Sequence, residues 1–426
     1  MTQTPSTPLP GEIGRDEAMR RDAADPLRRF RDRFVVTDPD LIYLDGNSLG
    51  RLPIVTRDSL QVAIESEWGG DLVRGWQYWV ELPRQAGDAI AEGVIQAEPG
   101  EVLVCDSTTV NLYKLAAAAL AARPGRRVIV TDDDNFPTDR YVLQGFAQAG
   151  HELRMIHTDI DAGIDPETVR EAVDEDTALV ALSHVAYRSG ALADMAAITQ
   201  IAHDAGALML WDLCHSVGAV PVPLRDAGVD LAVGCTYKYL NAGPGAPAFL
   251  YVRRDLQTEL RQPIWGWFGQ TNQFAMGPEY DPVPSIERFA TGTPPILGCY
   301  GVMHGARMVG EAGIDAIYAK GQALTSFAIE LADAWLADHG VRVATPRDPN
   351  RRGCHIVLHH PQAWQLCQAL LDNGVVPDYR TPDRLRLGFA PLYTSFTEVY
   401  DAMAILARLI AEGAHHRYPA EQRRVT

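Results

Sequence analysis

An α/β fold is predicted for this chain: a mostly parallel sheet with helices on both faces, joined to a smaller α+β domain. Three observations predict it. Up to about Gly301, short apolar runs alternate with helical patterns, the signature of strand–helix–strand units. Beyond Gly301 the character changes, and long helical segments lead into isolated strand candidates. The chain is also 426 residues long and 46% hydrophobic, enough to bury a large core and more than one ordinary domain needs.

The elements follow in order. Val102–Cys105 is an apolar strand candidate, followed by Asp106-Ser-Thr-Thr109 and an alanine- and leucine-rich helix through Ala122. Arg127–Thr131 is the next strand candidate, and Tyr141–Ala149 is helical in pattern. A strand at Ala178–Leu182, a helix at Met195–Ala205 and strands at Ala207–Trp211, Leu231–Cys235 and Ala248–Val252 complete the large unit. Helical periodicity returns at Val302–Glu311 and Ile317–His339. Strand candidates then stand at Gly340–Val343 and Cys354–Leu358, a helix at Ala363–Asn373, a strand at Leu385–Phe389 and a last helix at Phe396–Gly413. The expected organisation is a flexible segment over 1–15, a large domain over 60–300, and a small domain from 16–59 and 301–426.

Composition excludes several classes. Thirty-eight basic against 55 acidic residues leave a net charge of −17, which disfavours nucleic acid or an anionic membrane as partner. The six cysteines form no CxxC pair, and several sit in apolar runs, so reduced, buried thiols are expected. No apolar run approaches the roughly 20 residues needed to cross a bilayer. The Pro-, Thr- and Ser-rich start lacks the apolar centre of a signal peptide, so a cytoplasmic protein is expected. No metal site is expected either. His151, Glu152 and His157 miss the HExxH spacing, and Cys354, His355, His359 and His360 alternate along a strand.

The chemistry concentrates at strand ends. Asp212 closes one apolar strand, and Lys238 follows the next, just before Gly243-Pro-Gly-Ala-Pro247. A carboxylate that keeps a pyridine nitrogen protonated, together with a lysine that holds an aldehyde as a Schiff base, is what pyridoxal 5'-phosphate chemistry requires. Thr108 and Thr109, between a strand and a helix, can place free N–H groups against a phosphate, or serve as ordinary caps. Asn135-Phe-Pro-Thr-Asp139 follows another strand. Phe136 can lie on a ring with Asp139 beside it, or the segment can be a plain turn set by Pro137. Ser183 ends a further strand at the same edge, where ligands of open α/β sheets bind. His215 can brace Asp212, touch a cofactor or be structural. Arg386, in an apolar strand of the small domain, calls for a carboxylate, which an amino-acid substrate offers; Arg380 and Arg384 are expected to be solvated.

These residues carry a resemblance. From about Tyr43 to Tyr400 the chain resembles the kynureninases, fold-type-I pyridoxal-phosphate hydrolases. The motifs are Tyr43-Leu-Asp-Gly-Asn-Ser-Leu-Gly50, Thr109-Val-Asn-Leu112, Phe136-Pro-Thr-Asp139, Asp212-Leu-Cys-His215, Tyr237-Lys238, Gly266-Trp-Phe-Gly269, Thr291-Gly-Thr-Pro-Pro-Ile296 and Pro391-Leu-Tyr-Thr-Ser-Phe396. The resemblance implies a fold-type-I transferase-like architecture with a seven-stranded type of sheet, and cleavage of L-kynurenine to anthranilate and L-alanine in tryptophan catabolism.

It further implies a residue set. Thr108, Thr109 and Tyr237 hold the cofactor phosphate, and Phe136 with Pro137, Thr138 and Asp139 borders the ring. Ser183, Asp212 and His215 contact the cofactor, and Lys238 binds it covalently. Trp267 and Thr293 reach across a homodimer interface with shared active sites, while Arg386, Ser48 and Trp76 meet the substrate. Tyr237 is the candidate proton donor, with a phosphate contact as its alternative role. Thr293 stands where animal relatives resemble one another in having asparagine, and Trp76 in a region where they have histidine. A preference for L-kynurenine over 3-hydroxykynurenine follows, with the hydroxylated compound as the weaker substrate, because a site lacking hydroxyl partners discriminates poorly in its favour. Two rivals are a cysteine desulfurase or selenocysteine lyase using Cys354, and a non-enzymatic binding protein on a decayed fold.

Overall fold

A computed structural model of the chain describes residues 13–420. Of the segment expected to be flexible, residues 1–12 lie outside the described residues, and Arg15 opens the first helix, Arg15–Ala24. The strands run in order β1 (Ile42–Tyr43), β2 (Val102–Val104), β3 (Val128–Asp132), β4 (Glu152–Ile156), β5 (Thr177–Ser183), β6 (Leu208–Asp212), β7 (Leu231–Gly234) and β8 (Phe249–Val252). They continue with β9 (Arg342–Val343), β10 (His355–His359), β11 (Val375–Val376), β12 (Asp378–Arg380) and β13 (Arg384–Gly388).

Seven strands form the main sheet in the order β2-β8-β7-β6-β5-β3-β4. Every neighbouring pair is parallel except those of β8, which runs antiparallel to β7 and β2. The carboxyl ends of β2, β3, β5, β6 and β7 therefore lie along one edge. The sheet is covered on both faces. Val128, Val130, Met209 and Trp211 enter one core layer, while Ile129, Leu208 and Leu210 enter the other, the two-residue alternation of a pleated strand. The seventh strand, β4, has no apolar run in the sequence: it is an edge strand whose residues are mostly exposed or half-buried.

The smaller sheet is antiparallel, β12-β13-β10-β9, and helices Ile314–Trp335, Ala363–Leu371 and Phe396–Ala411 share a core with it. The last helix is fixed at its start. Ser395 and Glu398 form a reciprocal capping box, and Asp22 of the first helix accepts from the backbone N–H of Phe396 (2.6 Å) and Thr397 (3.0 Å). A parallel β1–β11 pair brings residues 42–50 alongside the small sheet.

Helix Ile296–Ala312 lies on the loop that follows Lys238. A methyl group at Gly298 would meet Pro247, one at Gly301 the Ala242 carbonyl, and one at Gly305 the Leu240 carbonyl. Absence of side chains at these three positions is what allows the close approach. No helix among the described residues is long and apolar enough to cross a membrane.

Candidate active site

The strand ends converge on a cavity of about 330 Å³, lined among others by Thr108, Thr109, Phe136, Thr138, Asp139, Ser183, Asp212, His215, Tyr237 and Lys238. That volume lies within the range of small-molecule pockets, about 300–1,000 Å³. One side is built by the turn after β2. Asp106 takes a left-handed backbone (φ 49°), a conformation that aspartate tolerates better than most residues, and Ser107 caps helix Thr108–Ala121 by accepting from the Val110 N–H. The first N–H groups of that 14-residue helix, with the Thr108 and Thr109 hydroxyls, border the cavity and suit a phosphate.

Beneath this turn lies a pair that sequence reading missed. Lys114 is fully buried, and its Nζ donates to Asp106 Oδ2 (2.7 Å) and to the Phe289 carbonyl (2.6 Å). Asp106 Oδ1 in turn accepts from Thr291 Oγ1 at 3.1 Å. Lys114 is the lone charge on an alanine- and leucine-rich helix, where a buried lysine calls for a partner.

On the opposite wall the helix after β3 begins at Pro137, four residues earlier than the periodicity indicated, so Asp139 falls in its first turn. Asn135 orders this corner: its Oδ1 accepts from Ser183 Oγ (2.7 Å) and from the Phe136 N–H (2.8 Å). Phe136 is left 39% exposed, with one edge on Tyr187 and Lys238 Nζ 5.9 Å from its centroid. Asp139 and Asp212 meet carboxyl to carboxyl. Burial, then the Asp212 charge, pushes Asp139 well above the usual carboxylate range, and Asp139 Oδ1 has no hydrogen-bond partner.

Lys238 Nζ lies 2.8 Å from His215 Nε2. Burial and the neighbouring Lys238 charge hold His215 well below its usual pKa, so the imidazole is neutral and its Nε2 can accept from the ammonium. His215 thus contacts the lysine, while Asp212 Oδ1 accepts from the Cys214 N–H (2.7 Å). His355, set aside by the sequence as part of an alternating strand, is fully buried 5.4 Å from His215, and both its ring nitrogens lack partners. Unsatisfied buried donors and acceptors are uncommon, and their clustering here fits a polar group that completes them. The residues present fit pyridoxal 5'-phosphate: an aromatic face at Phe136, helix N–H groups at Thr108–Thr109, a carboxylate at Asp212 and an amine at Lys238 border one cavity.

The other expected residues lie elsewhere. Arg386 is 1% exposed and donates to Ser48 Oγ (2.9 Å), the Tyr187 carbonyl (2.6 Å) and Asp378, and the Asn47 amide oxygen can take its Nε–H at 2.9 Å. Ser48 belongs to the same segment as Gly50, whose N–H donates to the Tyr237 carbonyl (2.8 Å), so residues 45–50 bridge arginine and lysine. Arg384, expected to be solvated, is 4% exposed and paired with Asp161 (2.7 Å), which is distant in sequence, and with its neighbour Asp383. Arg380, likewise expected in solvent, is half-buried against Asp378 (3.0 Å). Trp76 and Thr293 share a separate apolar cavity of about 410 Å³ with Trp68 and Trp79, and Trp267 is 43% exposed. Cys354 is fully buried, donates to the Ala219 carbonyl (3.3 Å) and is pushed up to about 12 by burial, which leaves no mobile thiolate for a desulfurase.

Comparisons with known proteins agree with this geometry. Residues 317–406 match the kynureninase C-terminal domain, and residues 98–222 match the DegT/DnrJ/EryC1/StrS aminotransferase family. The kynureninase of Pseudomonas fluorescens is 44% identical over 93% of this chain and 95% of its own length. That of Burkholderia pseudomallei strain K96243 is 43% identical with the same coverage. Among solved structures, the apo cysteine desulfurase of Thermococcus onnurineus NA1 superposes with a TM-score of 0.79 at 20% identity, over 90% of this chain and 98% of that one. The cystine C–S lyase C-DES superposes at 0.75 and 18% identity, over 87% and 98%. At such identities the structural likeness establishes the fold alone.

Proposed function

The chain belongs to the kynureninase family, and from that premise we propose that it hydrolyses the Cβ–Cγ bond of L-kynurenine, giving anthranilate and L-alanine in tryptophan catabolism. The observation that carries this is the convergence of Lys238, His215 and the Asp139–Asp212 pair on one cavity in a chain 44% identical to a kynureninase.

Bound there, pyridoxal 5'-phosphate supplies an electron sink for the pair left on the substrate's Cα. Lys238 would hold the cofactor covalently and, when its amine is free, is placed to take the Cα proton. His215, neutral and 2.8 Å from Lys238 Nζ, accepts from the amine and aims it. Asp212 would face the pyridine nitrogen, where a carboxylate favours the protonated ring; Asp139, raised well above the carboxylate range by burial and by Asp212, would donate rather than compete. Thr108, Thr109 and Tyr237 hold the phosphate, and Pro137, Thr138 and Ser183 shape the pocket around Phe136. Arg386 and Ser48 bind the substrate carboxylate. Water is the nucleophile at the γ-carbonyl. Tyr237, whose phenol is pushed up by Cys235 and by burial, stays protonated at neutral pH and delivers a proton to the departing alanyl carbon.

A cytoplasmic homodimer completes the reading. Trp68, Trp265, Trp267, Phe274 and Met276 are each 43–72% exposed, more large apolar surface in one region than an isolated subunit normally shows. In the dimer Trp267 and Thr293 would approach the neighbour's phosphate, and Trp76 the aryl ring. Preference for L-kynurenine over 3-hydroxykynurenine follows from the apolar surroundings of Trp76 and Thr293. The test is anthranilate fluorescence from cofactor-loaded protein and L-kynurenine, with Lys238→Ala beside it. Prompt release lost by about 10²–10⁴-fold or more in the variant is expected; absence of release from the wild-type protein overturns the substrate.

A further inference from the structure

We infer that Cys214 and Cys235 form a redox-modification site in the wall of the cofactor crevice, where a peroxide closes them to a disulfide. The thiol pair rests on the fold alone; its shielding by cofactor rests on the function proposed above.

Strands β6 and β7 are parallel neighbours with Asp212 opposite Val233. Cys214 lies in the turn just past the end of β6 and Cys235 directly past the end of β7, so both leave the sheet at the same edge. Their polar atoms meet there: the Cys235 N–H donates to Cys214 Sγ at 3.2 Å, and Cys235 Sγ donates to the Cys214 carbonyl at 3.7 Å. Both residues line the cavity, so a small oxidant that enters it reaches them.

The other four thiols, Cys105, Cys299, Cys354 and Cys367, do not line this cavity, and burial pushes them up to about 11 or 12, so they are thiols and inert. For Cys235 burial also acts upward, but the neighbouring Cys214 thiol and the Lys238 charge outweigh it and leave it below its usual range, while Cys214 is held well above by Cys235 and burial. Position gives the same order: Cys235 is three residues from Lys238 and both line the cavity, so Cys235 is assigned as the nucleophile and Cys214 as the resolving partner.

The step balances. The Cys235 thiolate attacks one oxygen of hydrogen peroxide, the O–O bond breaks and hydroxide leaves, giving a sulfenic acid. Cys214 then attacks that sulfur, an S–S bond forms, and water leaves with the thiol proton. Two thiols lose two electrons in total, and one peroxide becomes two waters. Cys214 Sγ lies 3.7 Å from Thr108 Oγ1 and sits between Asp212 and His215, so the crosslink ties the turn after β6 to the turn carrying Lys238 and draws a sulfur away from the phosphate cradle. The oxidised protein is expected to hold cofactor more weakly.

Intact mass spectrometry after peroxide treatment tests this on the full chain, both cofactor-loaded and cofactor-stripped. The stripped protein should lose the mass of two hydrogens and two of its six alkylatable thiols, recover both with dithiothreitol, and yield a peptide linking Cys214 to Cys235. Cys214→Ser should instead gain one oxygen at Cys235. Retention of all six thiols, or a crosslink between other cysteines, overturns the inference, and the wild-type peptide map decides this even if a variant fails to fold. Loaded protein should react more slowly. Equal rates would support the thiol pair and overturn its shielding by cofactor, and with it the placement of the cofactor.

Discussion

Two buried polar regions of this molecule hold their charges in opposite ways. In the crevice at the strand ends, Asp139 Oδ1 and His215 Nδ1 are buried without partners and two carboxyls face each other, and 5.4 Å from the His215 ring both nitrogens of His355 are also unpartnered. Around Arg386 the guanidinium is already satisfied by Asp378, Ser48 and the Tyr187 carbonyl. The first region is unfinished without a ligand, while the second is complete. A substrate carboxylate that reaches Arg386 must therefore compete with Asp378 rather than fill an empty place. The difference teaches that affinity for cofactor and affinity for substrate are set by different physics: completion in one region, exchange in the other.

The largest expected effect tests the crevice. Tyr237→Phe should lower kcat by about 10²–10⁴-fold, the usual range for one general acid, with cofactor still bound. A loss well under tenfold would assign the phenol to the phosphate alone. The exchange at Arg386 comes next. Arg386→Lys forfeits bidentate contact, and charge-assisted hydrogen bonds contribute about 1.5–3 kcal/mol, so KM should rise roughly 10–150-fold with kcat nearly unchanged. A fall in kcat with KM unmoved would break the comparison.

Asp378→Asn attacks the completed region directly. It leaves a buried guanidinium without its carboxylate, which typically costs about 3–5 kcal/mol of stability. Added L-alanine should raise the melting temperature of the variant more than that of the wild type, because a free carboxylate now enters without competition. Equal stabilisation of both proteins would remove the exchange.

The smallest effect is a pH slope. Burial, and then the charge of Asp378, raises Asp45 from 3.8 to about 7. The native state then holds this proton more tightly than the unfolded chain, so Asp45 stabilises most below the ordinary carboxylate range. That contribution is lost as pH rises from 3.8 to about 7. Asp45→Asn should flatten the decline, seen as melting temperatures that converge at or below pH 3.8 and separate from wild type at pH 8. An unchanged slope would show that the charge is relieved some other way.

Much of the crevice was legible in the sequence because its residues stand where strands end. Asp212 and Lys238 were found from apolar runs and the glycines after them, and Thr108, Phe136 and Ser183 from the same logic. Helix starts were less legible: Pro137 opens its helix, yet polar residues up to Arg140 masked the period. Strand β4 stayed hidden because an edge strand has no reason to be apolar. Arg384 read as solvated and Lys114 went unnoticed, since their partners come from distant segments: Asp161 for one, and the Phe289 carbonyl for the other. Local pattern reports which residues are near water; it does not report which charges find one another across the fold.

The glycines of helix Ile296–Ala312 extend this point to inheritance. Gly298, Gly301 and Gly305 do not line the cavity, yet each leaves room for the loop behind Lys238: Gly298 for the Pro247 ring, and Gly301 and Gly305 for backbone carbonyls. In a saturation screen for activity, single-carbon changes at these three codons should be purged as severely as changes to the lysine itself, although no reagent or ligand would ever report a contact there. A lineage drifting at its surface can rewrite its edges freely, but the address at which its lysine is delivered is kept by three positions that carry no chemistry at all.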